Sequence, residues 1–189
     1  MDFTIIDALP AHIPHITRIY QQAVLQGTAS FELDPPNEAE MLARYEAIIG
    51  KGYPYNVAVN AQGQLLAYAY ASAYRSRPAY RWTVENSVYV DPARQGNGLG
   101  HALTAETVRR CEALGFRQMI AIVGGSDHKA SIAMHEKLGF VHVGLLPATG
   151  FKHGKWLDSV VLQLALGEGD AADPDMDAYP ATLYTKPSA

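Results

Sequence analysis

Apolar and polar positions along this 189-residue chain recur with two periods. Alternation marks "DFTIIDA", "YNVAV", "QLLAYAYASA" and "TVENSVYV" as strands, and "VHVGLLP" and "WLDSVVLQLAL" as two closing strands. "RQMIAIV" is a continuous apolar run of the kind found in a strand buried on both faces. Between these lie helical periods. Ile13, Ile16, Tyr20, Ala23 and Val24 share one face of "HIPHITRIYQQAVLQG", where Pro14 suits the first turn and Gly27 a stop. Met41, Leu42, Tyr45, Ile48 and Ile49 form the stripe of "NEAEMLARYEAIIGKG", with Asn37 and Glu40 spaced as a variant capping box. Leu99, Leu103, Thr107, Cys111 and Leu114 recur at helical spacing up to Gly115. "SDHKASIAMHEKLGF" is a fourth helix, with Ser126 or Asp127 expected as its cap and Gly139 as its stop. The order βααβββαβαββ mixes hairpins with crossovers, so the expected fold is α/β (α+β), a single mixed sheet with helices on both faces. One domain is expected over 1–166. The remainder, 167–189, carries Pro, Asp and Gly with little periodicity and is expected to be an extended or mobile tail.

Composition narrows the class. Nearly half of the residues are hydrophobic (48%), which separates the chain from disordered sequences. A net charge of −4 gives no support for nucleic-acid binding. The single cysteine, Cys111, allows no internal disulfide and sits on a helix's apolar stripe, so it is expected in the core. No metal-ligand spacing is present. The N-terminus lacks a secretory pattern, and the longest apolar run, "MIAIV", is too short to span a bilayer. A cytoplasmic protein with no membrane or nucleic-acid partner is expected.

The most specific local feature is "RQGNGLG", Arg94–Gly100, between a strand and a helix. Gly96, Gly98 and Gly100 alternate, and the helix that follows offers unpaired N–H groups and the positive end of its dipole. That combination suits a pyrophosphate. A Walker loop would need Lys and Ser/Thr after Gly100, where His101 and Ala102 stand. A dinucleotide fingerprint from Gly96 would need glycine at 101 and an acid about twenty residues on, and both are missing. A ligand-free tight turn is the plainer alternative.

Gln95-Gly96-Asn97-Gly98-Leu99-Gly100 resembles the Gln/Arg-x-x-Gly-x-Gly/Ala loop of the GNAT family of N-acetyltransferases, whose amides hold the pyrophosphate of acetyl-coenzyme A. "SVYVDPARQGNGLG" and "ASIAMHEKLGF" match two family segments at the usual separation, and the likeness covers about 2–166. "YRWTVENSVYV", "ASIAMHEKLGF" and "GFKHGKWLD" together resemble the branch that acetylates phosphinothricin and methionine sulfoximine. The resemblance implies a seven-strand sheet splayed in the middle, four main helices, acetyl-coenzyme A as donor, a small amino acid as acceptor and a homodimer.

Acetyl transfer needs a neutral amine, and an α-amine with a pKa of about 8 is mostly protonated near neutrality. Glu85 is the candidate base. Alternation sets it with Ser87 and Tyr89, opposite Val84, Asn86, Val88 and Val90. The competing reading is an ion pair with Arg81 or exposure at the strand start. The resemblance places the base in this segment, and it makes His135, where relatives commonly carry Tyr, a candidate proton donor to the leaving thiolate. Packing is the competing role for that histidine. The resemblance also assigns backbone N–H groups of Val88, Tyr89 and Val90 to the oxyanion and the pantetheine arm. It adds Lys137 at a coenzyme phosphate and His128 at a place where the family often has Asn. Arg75, Arg77 and Tyr80 match the branch's substrate contacts, since arginine grips carboxylates and phosphinates with paired hydrogen bonds. Phe31 and Glu32 are further pocket candidates, and Lys152 and His153 are candidates for the pocket or a dimer contact. Acetylation of a different amine, such as a protein N-terminus or a polyamine, is one alternative. A non-catalytic acyl-coenzyme-A sensor is another.

Overall fold

The structure is a computed structural model and describes residues 2–178, 180 and 181. Its strands are β1 (Thr4–Asp7), β2 (Tyr55–Val59), β3 (Leu65–Ala73), β4 (Thr83–Val90), β5 (Gln118–Gly124), β6 (Val141–Lys152) and β7 (Lys155–Ala165). The helices are α1 (Ile13–Gln26), α2 (Glu38–Ile49), α3 (Leu99–Ala113) and α4 (Lys129–Lys137). One seven-stranded sheet holds all the strands in the order β1-β2-β3-β4-β5-β7-β6. Every pairing is antiparallel except β4 with β5, which the α3 crossover makes parallel. The expected element order and mixed sheet therefore stand.

Opposite faces of the central strands differ in bulk. Tyr55, Val57 and Tyr68 face one side and pack with Ile16, Tyr20, Val24, Met41 and Tyr45 from α1 and α2. Ala58, Ala67 and Ala69 face the other side, beneath Leu99 and Leu103 of α3. Small side chains let α3 sit close to the sheet, so the loop before it reaches the end of β4. A third cluster around Cys111, Phe116, Met119, Phe140 and Leu162 joins the far ends of α3 and α4 to β5 and β7. Burial pushes the Cys111 thiol up to about 12, so it stays an inert core group.

Two expectations need correction. Ser126 and Asp127 do not cap α4: Ser126 donates to Asp158 (2.8 Å), and Asp127 accepts from Lys155 (3.4 Å). His128 stands at the N-cap position and makes no side-chain cap bond. The strand expected over "VHVGLLP" runs on to Lys152 through bulges and closes a hairpin with β7. Its two-residue turn, His153–Gly154, has φ of 50° and 74°, the signature of a primed turn. The described part of the tail is fastened to its own domain. Arg117 donates to the carbonyls of Gly169 (2.9 Å) and Ala172 (2.6 Å), and Arg81 to that of Met176 (3.4 Å). Expectations for 179 and 182–189 lie outside the described residues. Asn37 caps α2 as expected, accepting from the Glu40 amide at 2.9 Å, a bond worth about 1 kcal/mol.

Candidate active site

The site begins where the sheet divides. β4 pairs with β5 only as far as Asn86 opposite Ala121. Beyond that step β4 stays with β3 as far as Val90, and β5 stays with β7 as far as Gly124. The two strands part, and the gap opens a cleft of about 1200 Å³. Ser87, Val88, Tyr89 and Val90 line one wall, Ile122, Val123 and Gly124 the other.

Hydrogen-bond parity decides which amides enter this gap. Asp91 donates to Leu66 (3.0 Å) and Tyr74 to Thr83 (3.5 Å), so odd-numbered residues of β4 exchange bonds with β3. Even-numbered residues point their N–H and C=O groups toward β5. Asn86 finds β5 there. Val88 and Val90 lie beyond the last paired step and face the cleft. Tyr89 differs from its expected role: its amide belongs to the β3 ladder, and its ring packs on Tyr20 (5.0 Å) and Tyr68 (5.2 Å).

At one end of the cleft lies the glycine loop. Gly96 and Gly98 have φ of 78° and 77°, a left-handed conformation that glycine adopts without strain. Gly98 is also the N-cap of α3, and it has no side chain to occupy the helix's first amides. The first helical bond is Ala102 N–H to Gly98 C=O, at 3.0 Å. The Leu99, Gly100 and His101 amides are therefore left for a ligand, and all three residues line the cleft with Gln95, Gly96 and Gly98. The side chain of Asn97, an expected coenzyme contact, braces the loop by donating to the carbonyls of Arg94 (3.0 Å) and Gln95 (3.1 Å). His128 and Lys137 line the cleft from α4 and its N-cap. The His128 ring is bound to the Thr28 hydroxyl at 2.8 Å.

Side chains build the other end. Glu85 lines the cleft where the strands part, and it forms no ion pair with a described residue. Burial raises its carboxyl above the ordinary value. Arg81, the competing partner, has its guanidinium over the Trp82 ring, 3.5 Å from the centroid. Glu32 also lines the cleft, and its carboxylate accepts from Tyr20 (2.9 Å) and from both ends of Arg44 (2.7 and 3.3 Å). Phe31 lies in a slot cut for its ring. A Cβ on Gly124 would come within 2.7 Å of it, and one on Gly150 within 2.5 Å. Lys152 is buried and donates to the Ser30 carbonyl at 2.7 Å, while His153 faces the Gly27 carbonyl at 3.2 Å; neither lines the cleft. Arg75, Arg77 and Tyr80 do not line it either. They sit on the loop just before β4, with the Arg75 guanidinium against the rings of both Tyr74 (5.1 Å) and Tyr80 (5.6 Å).

His135 lines the cleft yet is only 3% exposed. Its Nδ1 lies 2.8 Å from the Ser131 carbonyl, and its Nε2 lies 3.3 Å from Asn86 Nδ2. Burial lowers its pKa, against a smaller opposing effect of the Ser131 bond. The expected proton donor is thus a ring whose charged form burial disfavours and whose Nδ1 faces a carbonyl acceptor. Sequence reasoning missed Asn86 and the Glu32–Arg44 pair, because neither is adjacent to its partner along the chain. Among the described residues, no cluster of His, Cys, Asp or Glu could hold a metal, and no helix is long and apolar enough to cross a membrane.

Comparison with known proteins agrees with this geometry. The sequence profile of the acetyltransferase (GNAT) family matches residues 17–140. A phosphinothricin N-acetyltransferase of Alcaligenes faecalis is 47% identical over 163 residues, 86% of this chain and 82% of that protein. An L-methionine sulfoximine/L-methionine sulfone acetyltransferase of Pseudomonas paraeruginosa is 39% identical over 166 residues, 88% of this chain and 96% of its own. The crystal structure of a phosphinothricin acetyltransferase from Sinorhizobium meliloti, in complex with acetyl-coenzyme A, superposes with a TM-score of 0.94. It is 52% identical, and the match covers 98% of this chain and all of that one. A divided sheet, a glycine loop at a helix start and these relatives place the chain in the GNAT acetyltransferase family.

Proposed function

We propose that this protein transfers acetyl from acetyl-coenzyme A to the α-amine of a small glutamate-like amino acid, with phosphinothricin, methionine sulfoximine and methionine sulfone as acceptors. One observation carries the reading. Glu85, half-buried and with no ion-pair partner among the described residues, stands at the point where β4 leaves β5, on the cleft that the Val88 and Val90 amides also face. The coenzyme supplies an activated thioester. The open amides of Leu99, Gly100 and His101 suit its pyrophosphate, with Lys137 beside it. Val88 and Val90 present their amides to the pantetheine arm and to the thioester carbonyl, where negative charge develops. Glu85 takes the proton of the acceptor's ammonium, and the freed amine attacks directly. Burial raises its pKa, which makes the carboxylate a stronger base than an exposed glutamate.

Arg75 and Arg77, with Tyr80, grip the acceptor's acidic groups from the segment between β3 and β4, which would have to close toward the cleft when the acceptor binds, since none of the three lines it. Phe31 closes the acceptor end. The protein works in the cytoplasm, where acetyl-coenzyme A is available, as a homodimer. The dimer reading is supported by the edge strand β6, which leaves Val141, Val143, Leu145 and Leu146 exposed, with Phe151 and Trp156 beside its hairpin. A thiol-release assay with L-methionine sulfoximine, phosphinothricin and a panel of other amines tests the function. Release with the first two is expected. Release with polyamines or peptide N-termini alone would replace the acceptor assignment. Tight coenzyme binding without any release would make the protein a sensor.

A further inference from the structure

We propose that His135 is a positioning residue and that it acts through Asn86. This rests on the acetyl-transfer reading above. Its Nδ1 is within 2.8 Å of the Ser131 carbonyl, which has no proton to give, so Nδ1 carries the ring's hydrogen. Nε2 is then a lone pair, and the group facing it at 3.3 Å must donate. This orients the Asn86 carboxamide: Nδ2 turns to His135, and Oδ1 turns away. With Nε2 a bare acceptor, the ring has nothing to transfer to a thiolate.

Position gives the pair its task. Asn86 is the last β4 residue paired with β5 before the strands separate. Its neighbours in sequence are Glu85, the proposed base, and Ser87, which leads to the cleft-facing amide of Val88. His135 belongs to α4, whose N-cap His128 and last residue Lys137 also line the cleft. The Asn86–His135 bond thus ties β4 to α4 at the apex of the cleft. The His135 ring is itself held edge-on to Phe140, with centroids 5.0 Å apart. Asn86 is 6% exposed, and its Oδ1 is buried with no partner among the described residues. An orphaned amide oxygen costs about 1–3 kcal/mol, a cost that an apolar residue of the same shape would avoid. That an amide stands here points to the use of its N–H.

The chemistry tolerates a site without a general acid. The nitrogen–carbon bond forms and the carbon–sulfur bond breaks, and the sulfur departs with the electron pair. A thiol of pKa about 8.5 leaves readily as the thiolate. One ammonium proton goes to Glu85. A second, from the newly acylated nitrogen, balances the thiolate directly or through solvent.

Two measurements on the full-length protein with acetyl-coenzyme A bound decide this. Long-range proton–nitrogen NMR of the imidazoles should report His135 as the neutral Nδ1–H form near pH 7. An Nε2–H or doubly protonated ring would overturn the proposal. In steady-state assays, Asn86→Ala and His135→Ala should each lower kcat about tenfold with the KM for acetyl-coenzyme A little changed. The double variant should be no worse than either single one. His135→Gln, which keeps an acceptor near the Nε2 position but no transferable proton, should recover most of the loss. Wild-type-like Asn86→Ala beside a hundredfold loss in both His135→Ala and His135→Gln would restore the proton-donor role. Thermal melts identify any variant that fails to fold, and the NMR readout on the wild type then decides alone. If no amine is acetylated at all, the acetyl-transfer reading fails, while the tautomer measurement still reports on the His135–Asn86 bond.

Discussion

The two ends of the cleft are made of different materials. In the proposed reading the groups that meet the coenzyme are backbone amides: Leu99, Gly100 and His101 at the start of α3, and Val88 and Val90 along β4. Those proposed to meet the acceptor are side chains: Glu85, the Glu32–Arg44 pair, and Phe31 in its slot between Gly124 and Gly150. A backbone site tolerates most substitutions that leave its dihedrals alone, so it suits the partner that every member of a family shares. A side-chain site changes with each residue, so it suits the partner that distinguishes members. Failures at the two ends should therefore look different, and substitutions at four positions test this.

The largest effect is expected at the acceptor end. Glu85→Gln removes the base and keeps the shape, so turnover should fall about 10²- to 10⁴-fold while acetyl-coenzyme A binds as before. Titration of coenzyme by calorimetry, beside turnover, checks both halves. In the unsubstituted enzyme the same carboxylate must be ionised to accept a proton, so activity is lost as pH falls through its pKa. Burial has moved that pKa upward from 4.5. The acid limb of kcat/KM should accordingly lie above the ordinary glutamate range. A limb at or below 4.5 would take Glu85 out of the mechanism.

Next comes the backbone end. Gly98→Ala forces a side chain onto φ of 77°, which costs about 1–2 kcal/mol. No heavy atom lies within 4 Å of where that Cβ would be, so the penalty is conformational and not a clash. Melting should fall by a few degrees, about 2–4 °C for each kcal/mol in a chain of this size. Coenzyme affinity should drop about tenfold if the loop relaxes by a further 1.4 kcal/mol. An acceptor KM that moves while the coenzyme Kd does not would break the division between the ends. A smaller effect of the opposite kind is expected from Arg77→Ala. This should raise the acceptor KM about threefold to tenfold, as loss of one charge-assisted contact at an exposed site would, and leave the coenzyme Kd unchanged.

The same contrast explains what could be read from the chain alone. The glycine loop was legible because its chemistry is local: three glycines and a helix start fall within one short stretch. Strand alternation in "TVENSVYV" placed Glu85 and Tyr89 on one face and Val88 and Val90 on the other, as the structure has them. Parity of the ladder was not legible, because it depends on which strand lies beside β4, so Tyr89 was expected to offer an amide that β3 already uses. The cap of α4 was misread because Asp158, 32 residues away from Ser126, draws its hydroxyl aside. Asn86 was invisible for the same reason, since its partner His135 is 49 residues distant.

The smallest effect should come from the third glycine, and it separates two reasons for having one. Gly100 lies within α3, where φ is ordinary, and a Cβ there would meet only Val90 Cγ2, at 3.6 Å. That is normal van der Waals contact. Nothing in the folded chain therefore resists Gly100→Ala, and the helix gains from alanine's higher propensity. The melting temperature should hold or rise slightly. The residue would serve only to clear space for what rests on the first turn of α3, and a single methyl should cost coenzyme affinity no more than about threefold, well under 1.4 kcal/mol. Gly100→Val fills the same space with a branched side chain on a helix that can still fold, so its loss should fall on coenzyme Kd with little change in melting. A fall in melting as large as that of Gly98→Ala would show that Gly100, too, is there for the backbone and not for the ligand.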